Sequence, residues 1–408
     1  MTPLSRPARS DYGAHWTLDA ELTYLNHGSF GACPRVVLEE QSRLRTLLEA
    51  DPMAFFFDIG PTLWQEARAS LARFLRADLD GLSFLPNAST GVSTVLRSLQ
   101  FVPGDEILVP DHAYQACRNA VDHACAHSGA RTVVVKLPFP PEDDEQIVEL
   151  VLAGVTDRTR LALLDTVTSP TALLLPFERL TRELQARGVD VLLDAAHGAG
   201  LIELDLRQLD AAYVTGNCHK WLCTPKGSAF LHVRADRRSL IEPLITSHGY
   251  SAPGSQAERT RLEFDWQGTQ DTTPWLCIPQ AIAQLAGFVP GGWPAIMARN
   301  HTLAVTARDI LADALGVRQR VPDTMLAAMA TLPIPFDRDA QFTTALAGDP
   351  LMRRLHAEYG IQAIVFAWPQ HEARYLRVSA ALYNSAAEYE YLAAALGRLG
   401  VRSDGTSR

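Results

Sequence analysis

The sequence contains no long hydrophobic run, although 47% of its 408 residues are apolar. No apolar stretch reaches the roughly eighteen residues that a membrane-spanning helix needs, so we expect no membrane partner. Residues 1–11 include arginines but lack the apolar segment of a signal peptide. Together these absences predict a cytoplasmic protein.

Cysteine is scarce and scattered, with six residues at positions 33, 117, 125, 218, 223 and 277. None of them forms a Cys-x-x-Cys pair, and no cysteine and histidine spacing typical of a zinc site is present, so we expect no metal. Scattered cysteines without a secretion signal are typical of reduced thiols in a cytoplasm.

Basic residues are too few and too dispersed to indicate a nucleic-acid partner. The chain has 37 lysines and arginines against 46 aspartates and glutamates, a formal net charge of −9. An anionic ligand would therefore depend on local hydrogen-bond donors and not on the overall field. The early glycine-rich turn at residues 28–31 (GSFG) does not match Gly-x-Gly-x-x-Gly, which argues against a dinucleotide-binding enzyme.

What the sequence does contain is an alternation of apolar strands and amphipathic helices. Candidate strands at 106–110, 160–165 and 191–194 are separated by helical patterns. This alternation predicts an α/β fold with a mostly parallel sheet and helices on both faces.

The last part of the chain has a different character. Residues 248–271 show little apolar pattern and are predicted to be loop, whereas 363–367 and 374–379 are predicted to be paired strands of a smaller α+β domain. The length suits two domains. We place an N-terminal arm that joins the small domain at 1–30, the large domain at 31–275 and the small C-terminal domain at 276–408.

Two polar side chains follow neighbouring apolar runs in the middle of the chain. Asp194 ends the run 191–194, and Lys220 lies in the polar turn after the next run, 211–214. The lysine amine could form a Schiff base with the aldehyde of pyridoxal 5′-phosphate (PLP). The aspartate could keep the pyridine nitrogen protonated, which makes this cofactor an electron sink. Each residue alone would more often be a helix cap or a solvated turn residue, so the pair needs support from elsewhere.

Other candidates also lie at predicted strand ends, where the ligands of parallel sheets collect. Ser89 opens a helix, an arrangement that binds anions but also serves as an ordinary cap. Tyr114, with His112 as the alternative, could stack on a flat ring, and Thr168 follows a further strand. Arg377 lies among apolar neighbours and could clamp a carboxylate or form a surface ion pair. The shared position of these residues favours a PLP site over the purely structural explanations.

Several short motifs, each weak alone, are specific in their order and spacing. They are 25–31 (LNHGSFG), 87–90 (NAST), 194–197 (DAAH), 219–221 (HKW), 268–271 (GTQD), 329–330 (MA), 377–379 (RVS) and 383–384 (YN). On these motifs the chain, from about Tyr24 to Leu399, resembles fold-type I PLP enzymes of the class V aminotransferase family, in its isopenicillin-N epimerase-like branch. The resemblance implies a PLP-dependent transferase fold with a mostly parallel, seven-stranded type of sheet in the large domain.

The resemblance also implies roles for individual residues. Lys220 would carry the Schiff base, Asp194 would pair with the pyridinium nitrogen, and His197 would support Asp194 or lie near the phenolic oxygen of the cofactor. Asn26 and Arg377 would bind the substrate, Arg377 through the α-carboxylate. The remaining cofactor contacts would come from Ala88, Ser89, Thr90, Tyr114 or His112, Thr168, Ala196, His219 and, from a partner subunit, Thr269.

For function, the resemblance implies a homodimer with sites at the subunit interface and a small amino-acid substrate. The substrate would form an external aldimine, after which Lys220 would remove the α-proton as general base. Epimerisation, β-elimination by a C–S lyase reaction and transamination by a class V aminotransferase all share this step. A non-catalytic PLP-fold binding protein is a further alternative, which the retention of Lys220, Asp194 and Arg377 disfavours. Cysteine desulfurases carry a catalytic cysteine in the second half of the chain, whereas residues 318–347 contain none, so persulfide transfer is also disfavoured.

Overall fold

The computed structural model describes residues 4–335, 349–369 and 373–401, which form an α/β fold. The strands in these ranges are β1 (Thr23–Tyr24), β2 (Leu82–Leu85), β3 (Glu106–Pro110), β4 (Arg131–Val135), β5 (Thr159–Asp165), β6 (Asp190–Ala195), β7 (Tyr213–Asn217), β8 (Ala229–Val233), β9 (Met329–Ile334), β10 (Ile361–Gln362), β11 (Ile364–Ala367) and β12 (Arg374–Ser379).

Helices connect these strands throughout the described ranges. They are α1 (His27–Phe30), α2 (Arg35–Ala50), α3 (Pro52–Ala54), α4 (Gly60–Phe74), α5 (Ala88–Ser98), α6 (Gln115–Ser128), α7 (Asp144–Ala153), α8 (Phe177–Gln185), α9 (Leu206–Leu209), α10 (Gln256–Asp265), α11 (Thr273–Leu276), α12 (Ile278–Phe288), α13 (Gly292–Leu315), α14 (Pro350–Tyr359) and α15 (Ala386–Arg398). A single π-helical turn, Phe55–Ile59, joins α3 to α4.

The central sheet has seven strands in the order β2-β8-β7-β6-β5-β3-β4. Strands β4, β3, β5, β6 and β7 run parallel to one another, whereas β8 and β2 are antiparallel to their neighbours. The inner strands are almost wholly buried and rich in leucine and valine, the pattern of parallel strands that are covered on both faces. The predicted mostly parallel, seven-stranded sheet is confirmed.

Helices cover both faces of this sheet, so that it separates two hydrophobic cores. Val191 and Leu193 of β6 lie in one core, which includes side chains of α4, α8 and α12. Leu192, between them, lies in the other core with side chains of α5 and α6. This alternation follows from the period of two along a strand.

A further core lies between α13, α15 and a three-stranded antiparallel sheet in the order β11-β12-β9. The pairing of β11 with β12 confirms the strands predicted at 363–367 and 374–379. At the N-terminus, β1 pairs in parallel with β10, and Leu25 lies in this same core. The three predicted domain bounds stay a prediction.

The region predicted to be loop, 248–271, contains helix α10, and the prediction was wrong at this point. The Ser255 side chain accepts the backbone N–H of Glu258, while the Glu258 carboxylate accepts the backbone N–H of Ser255. This capping box starts the helix. Only Phe264 is buried along it, so hydrophobic periodicity carries almost no signal for a helix that its cap indicates clearly.

No single helix in the described ranges is long and apolar enough to cross a membrane. The segments Thr273–Phe288 and Gly292–Leu315 reach that length and composition only as a pair, which is bent by 69°. Both segments contribute buried side chains to the hydrophobic cores.

Candidate active site

Two buried carboxyl groups lie side by side where β5 and β6 end. Asp165 closes β5, Asp194 is the penultimate residue of β6, and the parallel register places the two opposite each other. Lys220 follows β7, which is the next strand in the sheet. The polar residues that follow these strands therefore meet at the carboxyl edge of the sheet.

Asp194 is held by two hydrogen bonds. Its Oδ1 accepts the backbone N–H of Ala196 at 2.9 Å, and its Oδ2 accepts the thiol of Cys117, on α6, with an Sγ–Oδ2 distance of 3.2 Å. Burial raises the pKa of Asp194, whereas these hydrogen bonds and the charge of Lys220 oppose the rise. Because two donors and a cation favour the carboxylate form, we assign the negative charge of the pair to Asp194.

Asp165, the second acid, was not among the predicted site residues. Burial and then the charge of Asp194 raise the pKa of Asp165 well above its ordinary value, although its carboxyl group accepts the backbone N–H of Tyr114. Two ionised carboxylates in one buried site repel each other, so Asp165 holds a proton at neutral pH. A repeated Leu-Leu-Asp, at 163–165 and 192–194, was the sequence signal for this second acid.

Lys220 directs its amine into this buried site. Burial lowers the pKa of Lys220 to about 8, and the charge of Arg377 adds to the fall, against the opposing effect of Asp194. Its Nζ lies 3.2 Å from Nε2 of His197. An amine with this pKa is partly neutral near pH 7, and the neutral form is the one that acts as nucleophile or base.

His197 lies between Lys220 and Trp221. Its Nδ1 accepts the indole N–H of Trp221, with a nitrogen–nitrogen distance of 3.1 Å. Burial and then the charge of Lys220 hold the pKa of His197 well below its ordinary value. The imidazole is therefore neutral at pH 7, and the structure brings it into direct contact with the predicted Schiff-base lysine.

A second histidine anchors the backbone at Lys220. Nδ1 of His27 accepts the N–H of Ala32 at 3.3 Å and lies 2.9 Å from the hydroxyl of Tyr383. Its proton must therefore be on Nε2, which donates to the carbonyl oxygen of Lys220 at 3.0 Å. Burial lowers the pKa of His27 to about 3, which keeps this pattern intact at neutral pH. The motif at 25–31 contains His27 but gave no indication of this role.

Arg377, on β12, carries a buried guanidinium that faces no acid among the described residues. Its Nη1 donates to the carbonyl and the hydroxyl of Ser169, and its Nη2 donates to the hydroxyl of Ser29 at 3.0 Å. That hydroxyl in turn donates to Oδ1 of Asn26 at 2.7 Å. The Nε–H of Arg377 has no partner among the described residues, and burial lowers the pKa of Arg377 to about 10. A buried cation without a counter-ion is costly unless a ligand supplies the opposite charge.

The first turn of α5 leaves hydrogen-bond donors unused at one residue. The amide of Ala88 donates to Oδ1 of Asn217 at 2.8 Å, and the amide and hydroxyl of Thr90 both donate to Oδ1 of Asn87, at 2.9 and 3.1 Å. Within the described ranges, the amide and hydroxyl of Ser89 have no partner. Ser89 thus offers both donors at the positive end of the helix, where an anion is favoured.

His219 is oriented by a hydrogen bond to the backbone. Its Nδ1 lies 2.7 Å from the carbonyl oxygen of Ser228, to which it must donate. Burial lowers the pKa of His219 to about 4, so Nε2 of the neutral ring is an acceptor. Donation from Nε2 to a phosphate needs a second proton on the ring, which an adjacent dianion favours.

The two predicted stacking residues differ in how much of their hydrogen-bonding capacity is used. His112 is buried, with Nε2 3.1 Å from the carbonyl oxygen of Leu137 and Nδ1 2.7 Å from the hydroxyl of Thr171. Thr168 lies behind it, with its hydroxyl 2.7 Å from that of Thr171. Tyr114, in contrast, is 45% exposed; its backbone N–H donates to Asp165, and its phenol interacts electrostatically with Arg377.

Thr269 and Ala196 lie in very different surroundings. Ala196 is half-buried in the turn that follows β6, where its amide contacts Asp194. Thr269 is exposed in a turn after α10, beside Gly268 with a φ of +127°. Among the described residues no hydrogen bond connects Thr269 to the site of its own protomer.

The residues at this edge of the sheet fit PLP. A buried carboxylate suits the protonated ring nitrogen, and an amine with a lowered pKa suits the aldehyde. Unused donors at the start of α5 suit the phosphate, and a buried guanidinium without a counter-ion suits a substrate carboxylate.

Comparison with known proteins agrees with PLP as the cofactor. The family model for aminotransferase class-V matches residues 60–392. Isopenicillin N epimerase of Streptomyces clavuligerus is 34% identical, over 94% of this chain and 96% of its own length. L-cysteine desulfhydrase of Arabidopsis thaliana is 27% identical, over 96% of this chain and 90% of its own. The cystine C–S lyase C-DES, in complex with cysteine persulfide, aligns with a TM-score of 0.77 at 19% identity, over 92% of this chain and 97% of the lyase.

The fold and the site together define a PLP-dependent enzyme of fold type I. The chain belongs to the aminotransferase class-V family. The predicted family, its isopenicillin-N epimerase-like branch, the fold and the PLP cofactor are confirmed.

Proposed function

We propose that this enzyme removes the α-proton of an amino acid and inverts the configuration at its α carbon. The amine of Lys220, with a pKa of about 8, shares a buried site with the guanidinium of Arg377, which lacks an acidic partner in the described chain. This arrangement carries the proposal, because the α-carboxylate of an amino acid would supply the missing negative charge. Two epimerase relatives, 34% and 33% identical over 94% of this chain, support inversion as the outcome.

In the proposed site, Arg377 binds and orients the substrate. Its unpartnered Nε–H and its two terminal nitrogens form the planar fork that matches a carboxylate. Asn26 lies next to this fork through Ser29 and would contact the same carboxylate.

Asp194, Lys220 and His197 perform the proton chemistry in this proposal. When bound, PLP supplies an electron sink for the charge that develops at the α carbon. Asp194 would keep the ring nitrogen protonated, and Lys220 would hold the cofactor and then move the α-proton. His197 would lie near the phenolic oxygen or support Asp194. Ala196 and Tyr114 would cover the two faces of the ring; Tyr114 is favoured over His112 because Tyr114 is 45% exposed, whereas His112 is fully buried.

The phosphate is proposed to lie at the start of α5. Ser89 supplies the unused amide and hydroxyl, with Ala88 and Thr90 around it and Thr168 on the neighbouring loop. His219 would donate from Nε2 in its doubly protonated form, which the negative charge of the phosphate would favour.

We further propose a homodimer, in which Thr269 reaches the phosphate of the partner subunit. Large apolar side chains remain exposed on the protomer, among them Phe30 at 68%, Met53 at 68% and Phe57 at 70%. Phe30 directly follows the site residue Ser29 in the chain, so at least one of these exposed apolar side chains lies next to the site. Light scattering should give twice the mass of the chain; a monomeric mass would contradict the proposal. The cytoplasm is the proposed compartment, a choice that six free, buried cysteines support.

β-Elimination of a sulfur leaving group is the second candidate reaction. It is favoured by a cysteine desulfhydrase relative that matches 96% of this chain. The same site would serve it, because loss of the α-proton is the first step in both reactions.

Incubation of the PLP-loaded enzyme in D2O with L-amino acids, including cysteine and cystine, tests the proposal. Exchange of the α-proton for deuterium reports its removal, and chiral chromatography detects the D-isomer. Pyruvate and ammonia in equal amounts, with sulfide from cysteine or cysteine persulfide from cystine, would instead assign β-elimination, and a keto acid without ammonia would assign transamination. No exchange with any amino acid would contradict the proposal and favour a non-catalytic binding protein.

A further inference from the structure

The indole of Trp221 makes a hydrogen bond that the proposed reaction does not use. Trp221 directly follows Lys220, and its ring and that of His197 are 3% and 2% exposed. The indole N–H donates to Nδ1 of His197 at 3.1 Å, while Nε2 of the same imidazole lies 3.2 Å from Nζ of Lys220. The imidazole thus bridges the side chains of two consecutive residues.

The direction of the first hydrogen bond determines where the imidazole carries its proton. An indole nitrogen only donates, so Nδ1 of His197 must present a lone pair. A neutral imidazole holds one proton, which must then be on Nε2. The neutral form is the one present at pH 7, because burial and the charge of Lys220 hold the pKa of His197 well below its ordinary value.

We propose that Trp221 is a positioning residue, which holds His197 as the Nε2–H tautomer so that the imidazole donates toward the amine nitrogen of Lys220. Such a donor pairs with the lone pair of a neutral amine and opposes an ammonium, whose own hydrogens would face it. In the other tautomer Nε2 would accept from the ammonium and stabilise protonated lysine. The indole therefore favours the reactive, neutral amine. The inference deepens the proposed function and rests on it only for the role of Lys220.

Other titratable and charged groups also face Lys220 and act through space. Arg377 disfavours the ammonium and the carboxylate of Asp194 favours it, whereas Cys117 and Asp165 face the amine in their protonated, neutral forms. None of these effects depends on which nitrogen of His197 carries the proton. A substitution that changes only the tautomer therefore separates the hydrogen bond from the surrounding field.

The tautomer is measured directly by 15N–1H correlation spectra of the full-length protein labelled with 15N-histidine, with and without PLP. The signal of His197 is assigned by its loss in His197→Gln. We expect a protonated Nε2 and an unprotonated Nδ1 at pH 7. An Nδ1–H tautomer or an imidazolium in the wild-type protein would overturn the proposal. This measurement requires no other variant and no reaction product.

Trp221→Phe keeps an aromatic ring and removes the donor together with part of the ring volume. Trp275→Phe is the matched control, because the Trp275 indole is equally buried and donates to the carbonyl oxygen of Leu85 at 2.9 Å. Circular dichroism confirms that each variant is folded. We expect Trp221→Phe to populate the Nδ1–H tautomer, and Trp275→Phe to leave the tautomer unchanged.

The consequence for Lys220 is read from the rate at which the PLP-free protein captures PLP. If the pKa of Lys220 rises by up to one unit in Trp221→Phe, capture at pH 7 slows by about three- to tenfold. At pH 10 the amine is neutral in both proteins and the rates should agree. Equal slowing at pH 7 and pH 10 would mean that the indole is merely structural, and an unchanged rate and tautomer would equally overturn the proposal.

Discussion

Two buried arginines of strand β12 should respond differently when their charge is removed. One substitution should mainly lower the stability of the protein, and the other should mainly lower its activity. Arg374 and Arg377, both on β12, are 6% and 3% exposed. Arg374 forms an ion pair with the buried Asp349, with an Nε–Oδ2 distance of 2.8 Å. In the part of the chain that the structure describes, Arg377 donates only to the neutral groups of Ser169 and Ser29. The two substitutions Arg374→Met and Arg377→Met are therefore a matched pair.

The expected change in the free energy of unfolding depends on which buried groups each substitution leaves unpaired. Arg374→Met leaves the carboxylate of Asp349 buried and unpaired, so we expect a loss of about 3–5 kcal/mol in the free energy of unfolding. Arg377→Met also loses hydrogen bonds, worth roughly 1 kcal/mol each. That loss is offset by removal of a buried cation for which the described residues provide no counter-ion. We expect the stability of Arg377→Met to stay within about 2 kcal/mol of the wild type.

Arg377→Met should lower activity strongly although it changes stability little. Removing one partner of a buried charge pair with the substrate carboxylate costs about 3–4 kcal/mol of transition-state binding. This corresponds to a fall of roughly 10²–10³-fold in kcat/KM. Arg377→Lys should recover part of the loss, because it restores the charge but not the planar fork.

Urea unfolding of the PLP-free proteins measures the first effect, since bound cofactor would add its own stabilisation. Steady-state kinetics with the best substrate of the amino-acid panel measures the second. If Arg377→Met loses as much stability as Arg374→Met, Arg377 must form an ion pair in the free protein, contrary to the prediction. An unchanged kcat/KM in Arg377→Met would show that this residue does not bind the substrate carboxylate.

Three further predictions concern the carboxyl edge of the sheet. Lys220→Ala should prevent covalent attachment of PLP, which mass spectrometry after borohydride reduction detects; a persisting adduct would remove Lys220 from its role. Asp165→Asn should keep kcat within about threefold, because Asp165 is already protonated, whereas Asp194→Asn should lower kcat by about 10²-fold or more. Equal losses in these two variants would mean that Asp165 also carries charge. Cys117→Ala removes a donor to the Asp194 carboxylate and should raise the pKa of Asp194. The acidic limb of the pH profile of kcat should therefore move to higher pH. Cys117→Ser should restore the wild-type profile, and an acidic limb that stays in place in Cys117→Ala would contradict this role for the thiol.

The helix α10 shows why the sequence-based prediction failed in one region. Hydrophobic periodicity indicates an element that buries a face, and this helix buries only Phe264. Its start is nevertheless local, because Ser255 and Glu258 cap it within one turn. A prediction from capping patterns would have found it.

The second acid was visible in the sequence but could not be interpreted there. Asp165 and Asp194 both end a Leu-Leu run, yet only the adjacency of β5 and β6 in the sheet makes them a pair. Burial and then the adjacent charge of Asp194 raise the pKa of Asp165, and both causes arise only when the chain folds.

By itself, the sequence determined the mostly parallel sheet and the PLP chemistry. The alternation of strands and helices and the residue types at the strand ends are local properties that a pattern records. Only the tertiary structure decided that Arg377 has no acidic partner within the described ranges, that Cys117 donates to Asp194 and that Trp221 donates to His197. These are properties of hydrogen bonds and desolvated charges between residues far apart in the chain or on different elements, and they exist only once the chain has folded.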